Sequence, residues 1–483
     1  MAPLSLWSAG LFAAAFFAAV PLPAADTTAE VGFARRLLSS GRIEEAERLV
    51  RKSLIQHTDA AGQAELNTIL GDALFQRADF ESAGIAYRSA VERNPRGAKA
   101  WWGLGRIELT QFRRKNARDL FSRAFGLDPR DPEIILSYLE FAGDATSRST
   151  LLRNVVQLTR QTDIPRAEQS QGQLALEDRL KGLQPGRMTS PYQAYTIRLS
   201  TFQPVGPKTD GVLVPISIDG GRTLRLLLDS GARGITIAAR SAKNLHLETI
   251  LESSIGGLGT SGSMEASLTI AKAVAIGQLH FENCVVEVTR ESLTNGADGV
   301  IGMNLFEAFR IKFDARNKTL ELTPFEDQLP VLDTTKAGLS PWSGYDRPAP
   351  RTNTSTAVPV YGFRHFLLVR TKANGHEGLF LVDTGSAVTS LAREFAPPVL
   401  SIASTPLLHG AGGDVSDARR ISPVTLEIAG RKFVDSEPVS MDLGHISQRQ
   451  GVRISGILGY SALSRVPVTF NYRDGLVDLG DQR

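Results

Sequence analysis

The 483-residue chain has a single cysteine, Cys284, so no intrachain disulfide can brace it and cysteine usage says nothing of its compartment. Its seven histidines (His57, His246, His280, His365, His376, His409 and His445) show no H-E-x-x-H and no paired ligand spacing, which argues against a zinc site. There is no G-x-S-x-G elbow, and Cys284 lies inside an apolar run, where it reads as packing and not as a nucleophile. Neither sign of charge dominates: 54 Lys and Arg oppose 51 Asp and Glu, with no basic run or acidic tail, so nothing points to nucleic acid or a membrane surface. Gly257-Leu258-Gly259-Thr260-Ser261-Gly262 spells G-x-G-x-x-G, but a phosphate cradle needs a helix after it, and a β-rich stretch follows. Neither a metal nor an organic cofactor is expected.

What is present is an ordinary globular composition, 42% apolar and 22% charged, with length enough for roughly three domains. Residues 4–20 are apolar and uncharged, and Pro21-Leu22-Pro23-Ala24-Ala25 adds a helix break and small residues, the pattern of a signal peptide over 1–25. The n-region lacks Lys and Arg, so an uncleaved membrane anchor or a plain N-terminal helix stay open as alternatives. Export, to a periplasmic or extracellular location, is the expectation.

Residues 64–97 and 98–131 align at a period of 34, with Leu70/Leu104, Gly71/Gly105, Ala83/Ala117, Tyr87/Phe121, Ala90/Ala124 and Pro95/Pro129 in register. This is the tetratricopeptide pattern, helix-turn-helix with aromatic and Leu residues in the core and Pro as a stop. The all-α repeats are assigned to 27–160, followed by a linker helix in 161–192. Two roles stay open: a surface that docks a protein partner, or a short solenoid that spaces or packs against the rest.

After residue 193 the period changes to short β-branched runs broken by Gly. Expected strands are 194–199, 211–218, 223–228, 234–238, 267–276, 284–289, 309–313 and 319–323, then a second series at 358–361, 365–371, 378–382, 388–391, 423–428, 437–442, 466–470 and 476–479. Within them one tripeptide pattern recurs: Asp229-Ser230-Gly231 after Leu226-Leu227-Leu228, and Asp383-Thr384-Gly385 after Leu379-Phe380-Leu381-Val382. Alone, such a tripeptide is an ordinary turn. Downstream, however, Asp298-Gly299-Val300-Ile301-Gly302 and Ser455-Gly456-Ile457-Leu458-Gly459 each end in two hydrophobics and a Gly, and each precedes a short helical pattern and a hairpin. The same features in the same order, twice, make chance a poor explanation.

On these residues, roughly 195–480 resemble the pepsin and retropepsin clan of aspartic peptidases, most closely the bacterial retropepsin-like ones. The resemblance implies an all-β, bilobal acid-protease fold with lobe 1 at 193–325, an interlobe linker at 326–355 and lobe 2 at 356–483. It implies an endopeptidase acting on polypeptide, with Asp229 and Asp383 as a catalytic dyad from a single, monomeric unit. Ser230 and Thr384 would bond across the lobes, Gly231 and Gly385 would line the attacking water, and Gly302 and Gly459 would close the ψ-shaped loops. Gly-rich stretches at 254–264 (Gly257, Gly259, Gly262) and 408–415 (Gly410, Gly412, Gly413) fit substrate-covering flaps, although neither holds a counterpart of the pepsin flap tyrosine. Arg233 stands where a small polar residue is usual; the expectation is that it points toward an acidic partner. The rival readings are a scaffold that grips peptides without cutting them, and lobes that pair only in a homodimer.

Overall fold

The structure is a computed structural model, and it describes residues 27–480 except 58, 143, 205–209, 257–262, 291–292, 295, 328–329, 331–340, 343–344, 346–356, 398–408, 411–412 and 416. The apolar run 4–20 therefore lies outside the described residues. Among the described residues, no helix is long and apolar enough to cross a membrane.

A helical region precedes a β-rich region. The helices run Thr27–Ser39, Ile43–Gln56, Ala60–Gln76, Phe80–Arg93, Ala98–Thr110, Arg114–Leu127, Pro132–Leu139, Ala145–Thr159 and Ile164–Arg179. Aspartate starts many of them: Asp59, Asp79, Asp131, Asp144 and Asp163 each accept a backbone N–H from the first turn, satisfying donors that a helix start otherwise leaves open. The 34-residue period has a steric origin. A side chain on Gly71 would run into the Tyr87 ring, and one on Gly105 would meet Phe121 at 2.6 Å, so in both repeats Gly seats the aromatic sixteen residues on. The turns repeat as well, since Ala78 (φ 64°) and Phe112 (φ 63°) adopt the same left-handed conformation one period apart.

The linker expectation for 161–192 holds only in its helix, which spans Ile164–Arg179; beyond it Arg187–Met188 pairs with Leu279–Thr289 and so adds a strand to the first β unit. Other differences are local. Strand Leu279–Thr289 begins five residues earlier than expected, strand Ser263–Ile276 four, and Leu251–Gly256 and Arg431–Asp435 form strands where none was expected. The last of these has Arg431, Lys432 and Asp435 around only two apolar residues at a sheet edge, which hides it from a hydrophobicity pattern.

The two β halves are joined through one sheet. Strands Tyr195–Arg198, Thr319–Thr323 and Arg310–Asp314 of the first half continue into Val468–Asn471, Leu476–Leu479 and Ala357–Phe363 of the second. The seam is antiparallel, with Ile311 opposite Phe470 and Phe313 opposite Val468. The chain may be divided near residue 325 on paper, but its sheet is continuous there, and a single apolar core containing Phe313, Leu320, Val468 and Phe470 spans both halves. The linker of 326–355 is also tied down where it is described. Trp342 and Tyr345 pack beside the Arg473 guanidinium, whose centre lies 5.7 and 4.9 Å from their rings, and Arg473 pairs with Asp327 at 2.5 Å.

The helical region is docked on the second half, through its turns. Phe80 packs on Tyr361 with ring centroids 4.6 Å apart, Phe75 lies 6.1 Å from Phe363, and Phe112 fills the space beside Gly362 and Gly475. Arg114 donates to the carbonyls of Tyr472 and Arg473 at 3.1 and 3.3 Å, and Arg370 to that of Ala78 at 2.8 Å. Of the two roles the sequence left open for the repeats, packing is therefore one they perform.

Candidate active site

Each of the two acids ends a buried strand. Strand Leu224–Asp229 carries the first, and strand His376–Val382 leads into the second. Beside each runs a short parallel strand, Gly299–Gly302 with Gly302 opposite Asp229, and Gly456–Leu458 with Leu458 opposite Val382. These are the hydrophobic-hydrophobic-Gly segments, and the glycines are forced. A Cβ on Gly302 would sit 2.5 Å from the Ala232 carbonyl, and one on Gly459 would collide with that of Val388. The segments thus pass directly behind the turns and lock them, Gly302 donating to the Gly234 carbonyl at 2.7 Å and Tyr460 to that of Ser386 at 2.6 Å.

The two turns meet. Ser230 N–H donates to Thr384 Oγ1 at 3.0 Å, and Thr384 N–H to Ser230 Oγ at 3.1 Å. Each hydroxyl then donates onward to the other half, Ser230 to the Val382 carbonyl at 2.8 Å and Thr384 to that of Leu228 at 2.9 Å. Ser230 and Thr384 are 2% and 1% exposed, so four hydrogen bonds are satisfied in a place that water does not reach. Thr384→Val is expected to strip Ser230 N–H and the Leu228 carbonyl of their partners and to cost about 1–3 kcal/mol in denaturant unfolding; a cost within error of zero would mean that these bonds do not hold the halves together.

This crossing points each glycine at the opposite acid. A Cβ on Gly231 would lie 2.9 Å from the Asp383 carboxyl carbon, and one on Gly385 would overlap the carboxyl of Asp229. Both carboxyl groups come from the same chain, each set against the glycine that follows the other. Their surroundings differ. Asp383 accepts from Gly385 N–H at 2.9 Å, Ser386 N–H at 3.3 Å and Ser386 Oγ at 2.8 Å, whereas Asp229, followed by Ala232 in place of that serine, accepts from Gly231 N–H at 2.6 Å. Burial, then the Asp383 charge, then the bond to Asp383 push the Asp229 carboxyl well above the usual carboxylate range, against a smaller pull from the Gly231 and Ala232 N–H groups. Such a pair keeps one proton, and the geometry favours leaving it on Asp229.

Sequence reasoning missed Ser386 as the third donor to Asp383, and it missed His365. The latter sits in the two-residue turn between Ala357–Phe363 and Phe366–Ala373, with Nε2 3.2 Å from the Gly231 carbonyl. Burial lowers its pKa to about 4, with the Gly231 carbonyl and the Asp383 charge opposing and Arg233 and Arg364 assisting. The ring is neutral above that pH, and its contribution to stability is complete above the unfolded value near 6.5 and lost as pH falls toward 4. No spacing rule could have found it, because its partner is 134 residues away. Arg233 faces two acids, Glu287 on the first half and Glu140 at the end of helix Pro132–Leu139, together with the Arg364 cation and the His365 ring.

Of the candidate flap glycines, Gly257, Gly259, Gly262 and Gly412 lie outside the described residues. The first stretch is flanked by the paired strands Leu251–Gly256 and Ser263–Ile276, and in the second Gly410 pairs with Gly413. Asp298, read as a turn acid, accepts from Arg222 and from the Arg225 N–H at 2.6 and 2.9 Å.

Comparison with known families agrees with this architecture. Residues 214–305 match the family described as aspartyl protease, a span that contains Asp229 and ends just past Gly302. Residues 31–95 and 70–132 match tetratricopeptide repeats. No curated protein matches the chain. The chain thus carries an aspartyl protease domain behind a helical repeat region, and the second Asp-Thr-Gly unit lies outside the matched span, linked to the first by internal repetition.

Proposed function

We propose that the chain is an exported aspartic endopeptidase in which Asp229 and Asp383 form one intramolecular dyad. The observation that carries this reading is the reciprocal crossing of the two turns, with each glycine set against the opposite acid's carboxyl. In the mechanism, a water between the acids gives its proton to ionised Asp383 as its oxygen attacks the peptide carbonyl carbon, while Asp229 donates its proton to the carbonyl oxygen. The tetrahedral diol then collapses: one hydroxyl returns its proton to Asp229, the proton held by Asp383 passes to the departing amine, and the C–N bond breaks. The low exposure of the Ser230 and Thr384 bonds supports a dyad whose separation is fixed before substrate arrives. The apolar run 4–20 supports export, and the repeat helices offer faces for a protein partner besides bracing the second half.

The test is digestion of a mixed peptide library by the full chain across pH, read by mass spectrometry. Internal cuts are expected, with a bell-shaped rate profile. Because Asp229 must hold its proton, activity should persist well above the ordinary carboxylate range and fall as pH rises through the raised value; it should also fall in strong acid, where the pair takes up a second proton. A library left intact at every pH would end the peptidase reading.

A further inference from the structure

The hairpin Val424–Ile428/Arg431–Asp435 of the second half borders a pocket that the cleavage mechanism does not use. Opposite residues of a hairpin share a face, so Phe433 sits with Leu426 and Arg431 with Ile428. Leu426 and Ile428 are buried in the core, whereas Phe433 is only partly buried against it. After the short helix Tyr460–Leu463 the chain runs through 464–467 to strand Val468–Asn471. Between hairpin and segment lies a cavity of about 260 Å³, lined by the buried Ile428, Leu463 and Leu479 and by the partly exposed Phe433, Arg465 and Val466. It is smaller than the ~300–1,000 Å³ that a drug-sized ligand fills, so its occupant is a small molecule or a single chain end.

One cation of this lining is held in place with its donors to spare. Arg465 Nε donates to the Ser461 carbonyl at 3.0 Å, and its guanidinium carbon lies 5.8 Å from the centre of the Phe433 ring. The two terminal nitrogens of Arg465 make no hydrogen bond and no ion pair among the described residues. The other cations of the lining are engaged: Arg431 donates to the Gly480 carbonyl at 2.9 Å, and Lys432 faces Glu427 at 3.5 Å. The lining holds no carboxylate among its described residues. A guanidinium fixed through Nε presents its end as a fork of parallel N–H groups, which matches the two oxygens of a carboxylate. The apolar side chains beside it reward a ligand that also brings hydrocarbon out of water.

We infer that this pocket binds a small apolar carboxylate, with the charged end on Arg465 and the apolar body against Ile428, Leu463 and Leu479. Short aliphatic acids share that chemistry with the last residue of an apolar peptide. None of the lining belongs to the turns that carry Asp229 and Asp383. The pocket nevertheless shares a wall with the second of them. Tyr460 and Ser461 donate their N–H groups to the Ser386 and Ala387 carbonyls at 2.6 and 3.1 Å, so Ser461 holds the Asp383 turn through its N–H and Arg465 through its carbonyl.

Binding to the full chain tests this by isothermal titration calorimetry at low salt. The probes are octanoate against octanamide, and N-acetyl-leucine against its amide. In at least one pair the acid should bind about tenfold tighter than the amide, as expected for a charge-assisted fork. Tighter binding of octanoate assigns the site to aliphatic acids and tighter binding of acetyl-leucine to apolar chain ends; either upholds it.

Arg465→Gln removes the fork and should bring acid and amide within about twofold of each other. Val466→Phe fills the cavity and should weaken both by about tenfold, and it decides the matter if circular dichroism shows Arg465→Gln to be unfolded. The chain carrying Asp229→Asn and Asp383→Asn should bind as the parent does. Equal binding of acid and amide overturns the inference, as does an acid preference that survives Arg465→Gln, binding untouched by Val466→Phe, or failure of every probe to bind. Binding lost with the two aspartates would place the carboxylate in the cleft and overturn it as well. Whether the unmodified chain cuts peptides bears on none of these outcomes, so this site and the peptidase reading stand or fall separately.

Discussion

Asp229→Asn is expected to lower peptide cleavage by at least ~10²–10⁴-fold, the range lost with a positioned acid or base, and at neutral pH to make the folded chain more stable than the parent. The two effects share a cause. Asparagine keeps an oxygen for the Gly231 N–H but cannot hand a proton to a carbonyl, so the chemistry stops while the turn survives. The stability change follows from the raised pKa: an acid held above its unfolded value near 3.9 contributes fully below that value and loses the contribution as pH rises through the folded one. At pH 7 the parent bears the strain of two carboxyls sharing one site, which the amide relieves. The difference in melting midpoint should therefore shrink as pH falls toward 4. Asp383→Asn should be as inactive, because neither acid can do the other's work. A variant that cuts as the parent does would show that the cleavage is not the work of this dyad and would leave the second reading, a scaffold that grips peptides without hydrolysing them; a variant both inactive and unfolded at neutral pH would contradict the charge argument.

The parts of this site legible in the sequence were those whose causes are local. Asp229-Ser230-Gly231 and its partner tripeptide announce themselves because turns next to carboxyl groups tolerate only glycine, and the segments ending in Gly302 and Gly459 announce themselves because they pass too close to a carbonyl for any side chain. The 34-residue period is visible for the same reason, Gly71 and Gly105 each seating an aromatic ring. Long-range causes leave no such mark. That Ile311 lies opposite Phe470 cannot be read from either strand, since both are simply apolar and alternate as any half-buried strand does. His365 carries no motif, and its role exists only because a hairpin of one half reaches a carbonyl of the other. Trp342 and Tyr345 looked like linker residues among prolines until Arg473 gave them a surface to cover. The repeats revealed their fold but not their dock, because the docking residues Phe75, Phe80 and Phe112 occupy turns and helix ends, where a core-face pattern does not look.

Phe75→Ala tests whether that dock makes one folding unit of helices and protease. Phe75 is 1% exposed, edge-on to Phe80 at 5.2 Å and to Phe363 at 6.1 Å, with the Arg106 guanidinium 3.9 Å from its ring centre. Removing the ring leaves a cavity between the first repeat and the hairpin Ala357–Phe363/Phe366–Ala373, at a cost of about 3–5 kcal/mol, since the docked halves have little freedom to collapse into it. If the helices were a tethered spacer, calorimetry would show a weakened helical transition and an untouched β transition. The packing argues otherwise. Phe363 immediately precedes Arg364 and His365, so loosening the ring contact loosens the turn that touches Gly231 beside Asp383. A single transition should shift to lower temperature, and cleavage should weaken well below the new midpoint, because the cleft wall moves before the chain unfolds. The helical region would then act as the outer support of the active site, which gives a physical reason for repeats and protease to be carried on one chain.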